Sequence, residues 1–126
     1  VAKYQVLPDD LEGLKEAMVN MSDKEKVDLI LTTGGTGLSP RDNTPEATLA
    51  VIDREVPGLP EAMRQESLKK TNRAMLSRAV AGVRNRTLII NLPGSVKGVQ
   101  ECLEVILPAL PHGLDILTGR GGECGS

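Results

Sequence analysis

Apolar positions along the chain follow two rhythms. Leu11, Leu14, Met18 and Met21 recur every three or four residues, with Glu12, Lys15 and Glu16 between them. That spacing gathers the apolar side chains on one face and predicts an amphipathic helix. Pro8-Asp9-Asp10 starts it, with carboxylates at the positive end of the helix dipole, and Ser22-Asp23 breaks it before a solvated connector, Lys24-Glu25-Lys26. Val1 to Leu7 reads as a strand with Tyr4 and Val6 on one face. Val27, Leu29, Ile30 and Leu31 instead form a short apolar run, as do Leu88, Ile89 and Ile90. Runs of this length read as strands covered on both faces of a sheet.

Between and after these runs the helical rhythm returns. Ala47, Val51 and Ile52 predict a helix from Pro45 to about Glu55; Pro57-Gly58 interrupts it, and a second helix runs from about Leu59 to Leu68. Leu76 to Val83 and Thr87 to Asn91 read as strands flanking a turn at Arg84-Asn85-Arg86. Val96, Val99, Leu103, Ile106, Leu107 and Leu110 trace a long helix, with a kink or break at Pro108, which lacks the N–H the helix would use. Gly119 to Ser126 has five glycine or serine residues in eight and reads as a flexible tail or the start of a linker. Strands alternating with helices predict an α/β sandwich with a mostly parallel sheet. The domain spans 1–118, and no internal repeat interrupts it.

Composition narrows the class. A chain of 126 residues allows one domain, and a domain of that size buries roughly two-thirds of its unfolded surface. Apolar residues at 40% and charged residues at 25% are ordinary globular values. Tyr4 is the single aromatic residue, so Leu, Ile, Val, Met and Ala must fill the core. A net charge of −2 and a pI near 5.4 speak against nucleic acid as the main partner. No apolar run approaches the ~20 residues of a membrane span, and no stretch of the given sequence reads as a signal peptide. Cys102 and Cys124, with one histidine and no C-x-x-C, support neither a disulfide framework nor a zinc site. A reducing, cytoplasmic setting fits best.

The candidate chemistry lies after the first apolar run. Thr32-Thr33 leads into Gly34-Gly35-Thr36-Gly37, then Leu38-Ser39-Pro40-Arg41-Asp42-Asn43, and Thr44-Pro45-Glu46 starts a helix with an N-cap, a first-turn proline and an acid. Three glycines in four residues leave backbone N–H groups uncovered to converge on an anion. A Walker A loop needs Gly-Lys-Ser/Thr, yet no lysine stands between Asp28 and Leu68; a dinucleotide fingerprint needs a last glycine where Pro40 stands. Read alone, the loop is equally a tight turn. Asp42 alone reads as a helix-start acid or a partner for Arg41.

T-T-G-G-T-G-L-S-P-R-D-N-T-P-E-A-T closely resembles the signature loop of the molybdopterin adenylyltransferase family, which comprises MogA, MoaB, the gephyrin G domain and its plant counterpart. The resemblance continues through Met63–Leu68, Ala74–Arg78, Thr87–Ser95 and Gln100–His112. It implies the MogA-like three-layer α/β/α fold and transfer of AMP from ATP to the terminal phosphate of molybdopterin, with pyrophosphate released. On that likeness Gly34, Gly35 and Gly37 supply main-chain donors and Thr33, Thr36 and Ser39 hydroxyls, while Asp42 holds Mg²⁺, a hard cation suited to carboxylate and phosphate oxygens. Asn91, Pro93, Gly94 and Ser95 match the family's second loop near nucleotide and pterin. Ser77 matches a pocket serine, though a strand serine hydrogen-bonded within the fold reads equally well.

Other residues carry weaker expectations. Arg64 and Glu66 read as a solvated helix face or as site residues, and Lys97 as a phosphate contact or a solvated lysine. His112 reads as a surface residue and Cys102 as a small core residue. The sequence departs from the family at Asn43, where valine is usual; asparagine there suits an Asx-type turn. It also begins without the family's first strand, Asp-Ser-Gly loop and helix, which carry a second acidic residue. The resemblance therefore implies an N-terminally incomplete piece whose first strand is an edge or faces a vacancy in the sheet, and a molybdopterin-binding domain inactive as this piece stands as an alternative to the transferase. The likeness further implies a homotrimer and a fused or partner molybdenum-insertion (MoeA-like) domain. A trimeric scaffold module of a gephyrin-like protein is the alternative function, and a competence-damage-type protein a weaker one, since its glycine loop lacks the Pro40–Glu46 run.

Overall fold

All six residues of the strand Thr87–Leu92 are buried, and the rest of the fold is stacked on its two faces. The computed structural model describes residues 10–119; the strand expected over 1–7 and the tail beyond Gly119 lie outside the described residues. Side chains alternate across a strand, so the continuous apolar run divides. Leu88, Ile90 and Leu92 face one core with Met63, Cys102, Ile106 and Leu110, while Ile89 faces the other with Met18, Ile30, Ala47 and Val51. Helices on both sides of the sheet make the expected three layers.

In chain order the elements are α1 (Leu11–Asp23), β1 (Leu29–Thr33), α2 (Thr44–Val51), β2 (Arg54–Glu55), α3 (Gly58–Leu68), β3 (Ala81–Arg84), β4 (Thr87–Leu92), α4 (Val96–Ile106) and α5 (Leu110–Thr118). Single 3₁₀ turns lie at Asn72–Leu76 and Leu107–Ala109. The sheet order is β1-β4-β3-β2. β1 runs parallel to β4, with Leu29 opposite Leu88, whereas β4–β3 and β3–β2 are antiparallel. The sheet is thus mixed among the described residues, with the parallel pair at the side that carries the glycine loop.

Several boundaries differ from the sequence expectation for local reasons. α1 continues through Ser22 and Asp23, because the Ser22 hydroxyl is buried and donates to Arg84 O (3.2 Å) while Asp23 pairs with Arg84 (2.8 Å). The helix expected to reach Glu55 stops at Val51, since Ile52 turns extended and Asp53 N and Val56 N donate to Val83 O and Ala81 O. The strand expected from Leu76 begins only at Ala81. Ahead of it the chain is coiled into a 3₁₀ turn capped by Thr71, whose hydroxyl accepts from Arg73 N (3.2 Å). The last helix breaks at Pro108 as expected and resumes as α5, which ends on Gly119 in the left-handed conformation (φ +81°).

Candidate functional site

At the carboxyl end of β1 the chain must turn at once to enter α2, and the glycine loop makes that turn. Gly34 and Gly35 have φ of +83° and +72°, where side chains strain the backbone. A Cβ on Gly35 would also strike the Thr44 hydroxyl, for the loop passes directly against the start of α2 and Thr44 N donates to Gly35 O (3.2 Å). Gly37 serves differently: a Cβ there would lie 2.8 Å from Asp42 Oδ2. The space left lets the Asp42 carboxylate accept from Ser39 N (2.9 Å), while the Ser39 hydroxyl accepts from Arg41 N (3.2 Å). Asn43 is the N-cap of α2 but makes no side-chain capping bond, so the Asx-type turn expected there does not form, and the cap lies one residue earlier than Thr44.

Beside this loop opens a cavity of about 400 Å³. Thr36 forms one wall; Pro60, Met63, Arg64 and Ser67 of α3, the Lys70–Ser77 stretch, the Asn91–Ser95 end of β4 and the first turns of α4 form the others. Four cations, Arg64, Lys70, Arg73 and Lys97, line it against one carboxylate, Glu101. Lys70 bonds Glu101 across the rim (2.9 Å), which holds its ammonium pKa above the usual lysine range. Arg64 donates to Ser77 O (3.3 Å) and Ala79 O (3.0 Å), fixing the wall that bears Ser77. The N-terminus of α4 forms part of the cavity wall, capped by the Ser95 hydroxyl accepting from Gly98 N (3.0 Å). Its first turn holds no acid and carries Lys97, the opposite of what the helix dipole favours on its own.

Thr36, Ser77, Asn91, Pro93, Gly94 and Ser95 therefore meet at one cavity. Gly34, Gly35, Gly37, Ser39 and Asp42 lie on the adjoining loop outside its lining, and Thr33 is exposed at the end of β1. Gly34 and Gly94 join the two loops: a Cβ on Gly94 would lie 3.5 Å from the Gly34 Cα. Asn91 is wholly buried; its amide accepts from Val80 N (3.1 Å) and donates to the Thr32 and Thr48 hydroxyls (3.0 Å each), so its polar groups are already engaged. Of the weaker candidates, Arg64 and Lys97 reach the cavity, whereas Glu66 pairs with Lys69 (3.0 Å) and His112 is exposed. Cys102 is a core residue as expected but also lines the cavity, and burial pushes its thiol pKa up, which keeps it protonated.

Lys70, Arg73 and Arg78 were not singled out by sequence. Lys70 and Arg73 sit in a polar stretch that reads as ordinary surface. Arg78 stands behind the loop, with its partners 32 to 41 positions away. The fit to a divalent cation can be judged from Asp42. One oxygen is held by Ser39 N–H; among the described residues the other has no hydrogen-bond partner, and no group of three or more His, Cys, Asp or Glu gathers to hold a metal alone. Magnesium commonly takes one or two carboxylates and completes its shell with substrate phosphates and water, so a lone carboxylate fits that use.

Residues 1–112 match the family described as a probable molybdopterin binding domain. A molybdopterin adenylyltransferase from Helicobacter pylori J99 is 46% identical over 117 residues, covering 93% of this chain and 66% of the relative. Gephyrin from Dictyostelium discoideum is 47% identical over 120 residues, covering 95% of this chain and 17% of the relative. Among solved structures, the molybdopterin biosynthesis enzyme MoaB from Thermus thermophilus superposes with a TM-score of 0.88 at 59% identity, covering 94% of this chain and 75% of that one. The chain thus spans about two-thirds of the length of the adenylyltransferase it matches.

Proposed function

The chain belongs to the molybdopterin-binding domain family, and from that premise we propose that it adenylylates molybdopterin in molybdenum cofactor biosynthesis. The observation that carries the reading is the cationic cavity closed by the N-terminus of α4, set against a glycine loop that bears one available carboxylate. In the reaction an oxygen of the molybdopterin phosphate attacks the α-phosphorus of ATP. One P–O bond forms, the bond to the β-phosphate oxygen breaks, and pyrophosphate leaves. Three anionic groups must approach one another, so the catalytic burden is neutralising and orienting charge.

The residues divide that task. Arg64, Lys70, Arg73 and Lys97 supply fixed positive charge, and the α4 amides add the helix-terminus attraction for phosphate. Lys97, unfavourable beside a bare helix N-terminus, suits one facing an anion. Gly34–Gly37 offer main-chain N–H groups, and Thr36, Ser39, Ser77 and Ser95 hydroxyls. Asp42 would hold Mg²⁺, whose chemistry when bound is to screen the phosphates of ATP. Asn91 keeps the floor in place through β1 and α2. The same proposal includes a homotrimer acting in the cytoplasm, with a molybdenum-insertion domain as fused or separate partner. Among the described residues no helix is long and apolar enough to cross a membrane.

Incubation of the full chain with molybdopterin, ATP and Mg²⁺ tests the activity. The expected products are adenylylated molybdopterin and pyrophosphate in equal amounts; absence of both with molybdopterin bound would leave a binding domain without transfer. The gephyrin likeness covers 17% of that relative and gives the scaffold alternative no support of its own.

A further inference from the structure

Arg78 is half-buried and lies outside the cavity lining, yet it makes three bonds to carbonyls of the glycine loop. Its backbone N–H donates to Thr36 O (2.9 Å), its Nε to Gly37 O (2.7 Å) and one terminal nitrogen to Asp42 O (2.7 Å). The remaining edge of the guanidinium grips the Glu46 carboxylate in the first turn of α2. The planar fork therefore spans the loop from its third glycine to the helix that follows. On the other side, Arg64 holds the carbonyls of the two residues flanking Arg78, those of Ser77 and Ala79. The short stretch 77–79 is thus tied to α3 in one direction and to the signature loop in the other.

Among the described residues no other side chain bridges the loop carbonyls in this way. The Asp42–Ser39 bonds close the turn on itself but leave its orientation relative to the cavity open. The geometry points to Arg78 as a positioning residue: its fork, closed by Glu46, sets the 36–42 turn against the cavity wall so that Asp42 and the loop amides meet the reacting phosphates. This rests on the adenylyl-transfer reading for its consequence but not for its structural content. A lysine at 78 would keep the charge, yet a single ammonium cannot reach Gly37 O, Asp42 O and Glu46 in one plane.

The test uses the full chain carrying Arg78→Lys, Arg78→Ala or Glu46→Gln, with two readouts. Amide hydrogen exchange is expected to quicken tenfold or more at Ser39 and Asp42 in both Arg78 variants, with the Ile89 and Ile90 amides of β4 unchanged. Turnover in AMP transfer should fall tenfold or more in Arg78→Lys, with KM for molybdopterin within threefold, and Glu46→Gln should fall between. Millimolar methylguanidinium should restore part of the turnover of Arg78→Ala, where ammonium at equal ionic strength does not. Unchanged loop exchange in Arg78→Ala would overturn the proposal, as would exchange quickening equally in β4, the mark of general destabilisation. If the unmodified chain transfers no AMP but the variants loosen the loop alone, the functional reading fails and the positioning role stands.

Discussion

At the scale of single residues, Asp42 and Gly35 bear opposite kinds of constraint. Asp42 is held by one oxygen, and asparagine would keep that acceptor toward Ser39 N–H while losing the charge. Asp42→Asn should therefore preserve the loop and molybdopterin binding but lower AMP transfer a hundredfold or more; transfer within threefold of the unaltered chain would remove the metal role. Gly35 is constrained by space. Valine there would be driven into Thr44 and forced into a left-handed backbone, at a cost of about 3 kcal/mol or more. The sequence pattern alone favours a loss of ligand affinity with the fold intact. The contact with α2 changes that expectation to a loss of stability as well, which far-ultraviolet circular dichroism in urea would measure.

Between elements, the buried side-chain amide of Asn91 links β4 to β1, α2 and the strand entry at Val80. Asn91→Leu fills the space but strands the Val80 N–H and takes a donor from the Thr32 and Thr48 hydroxyls, of which Thr48 still donates to Thr44 O (2.9 Å), so unfolding free energy should drop by about 2 kcal/mol; a drop below about 0.5 kcal/mol would show that these groups find other partners. Much at this scale was legible beforehand. β4 was clear because a short apolar run has few other uses, and the Pro108 break followed from a missing N–H. The 3₁₀ turn before β3 was not, since Met75 and Leu76 are apolar but 66% and 54% exposed, against the rule that apolar pattern marks burial. Nor could local pattern reveal β2, two residues long, whose pairing is decided by Gly82 leaving room for Ile52 and Arg54. The glycine loop was legible as a candidate site, but the arginine that bonds its carbonyls was not, because those carbonyls are distant along the chain.

For the molecule as a whole, charge sets the range of pH in which these ties hold. Hydrogen bonds from Arg84 and Arg78 keep the Asp23 and Glu46 carboxyls below the usual range. Their folded pKa values thus lie beneath the unfolded ones of about 3.9 and 4.3; the stabilisation is present above those values and is lost as pH falls through the folded ones. Lys70, raised by Glu101, behaves oppositely: its contribution is present below about 10.4 and disappears as pH rises beyond. The melting temperature should be level from about pH 6 to 9 and fall below about pH 4. Glu46→Gln should flatten part of that acid decline, and an unaltered acid limb would mean that the Arg78–Glu46 pair contributes nothing to it. Both cores are built without a phenyl or indole ring, and Tyr4 is the one aromatic residue in the sequence. The protein is consequently almost dark in the near ultraviolet. A pterin seated in the cavity would be the main near-ultraviolet absorber, its band not overlaid by tryptophan, so the filling of the site could be followed from the absorbance of the ligand alone.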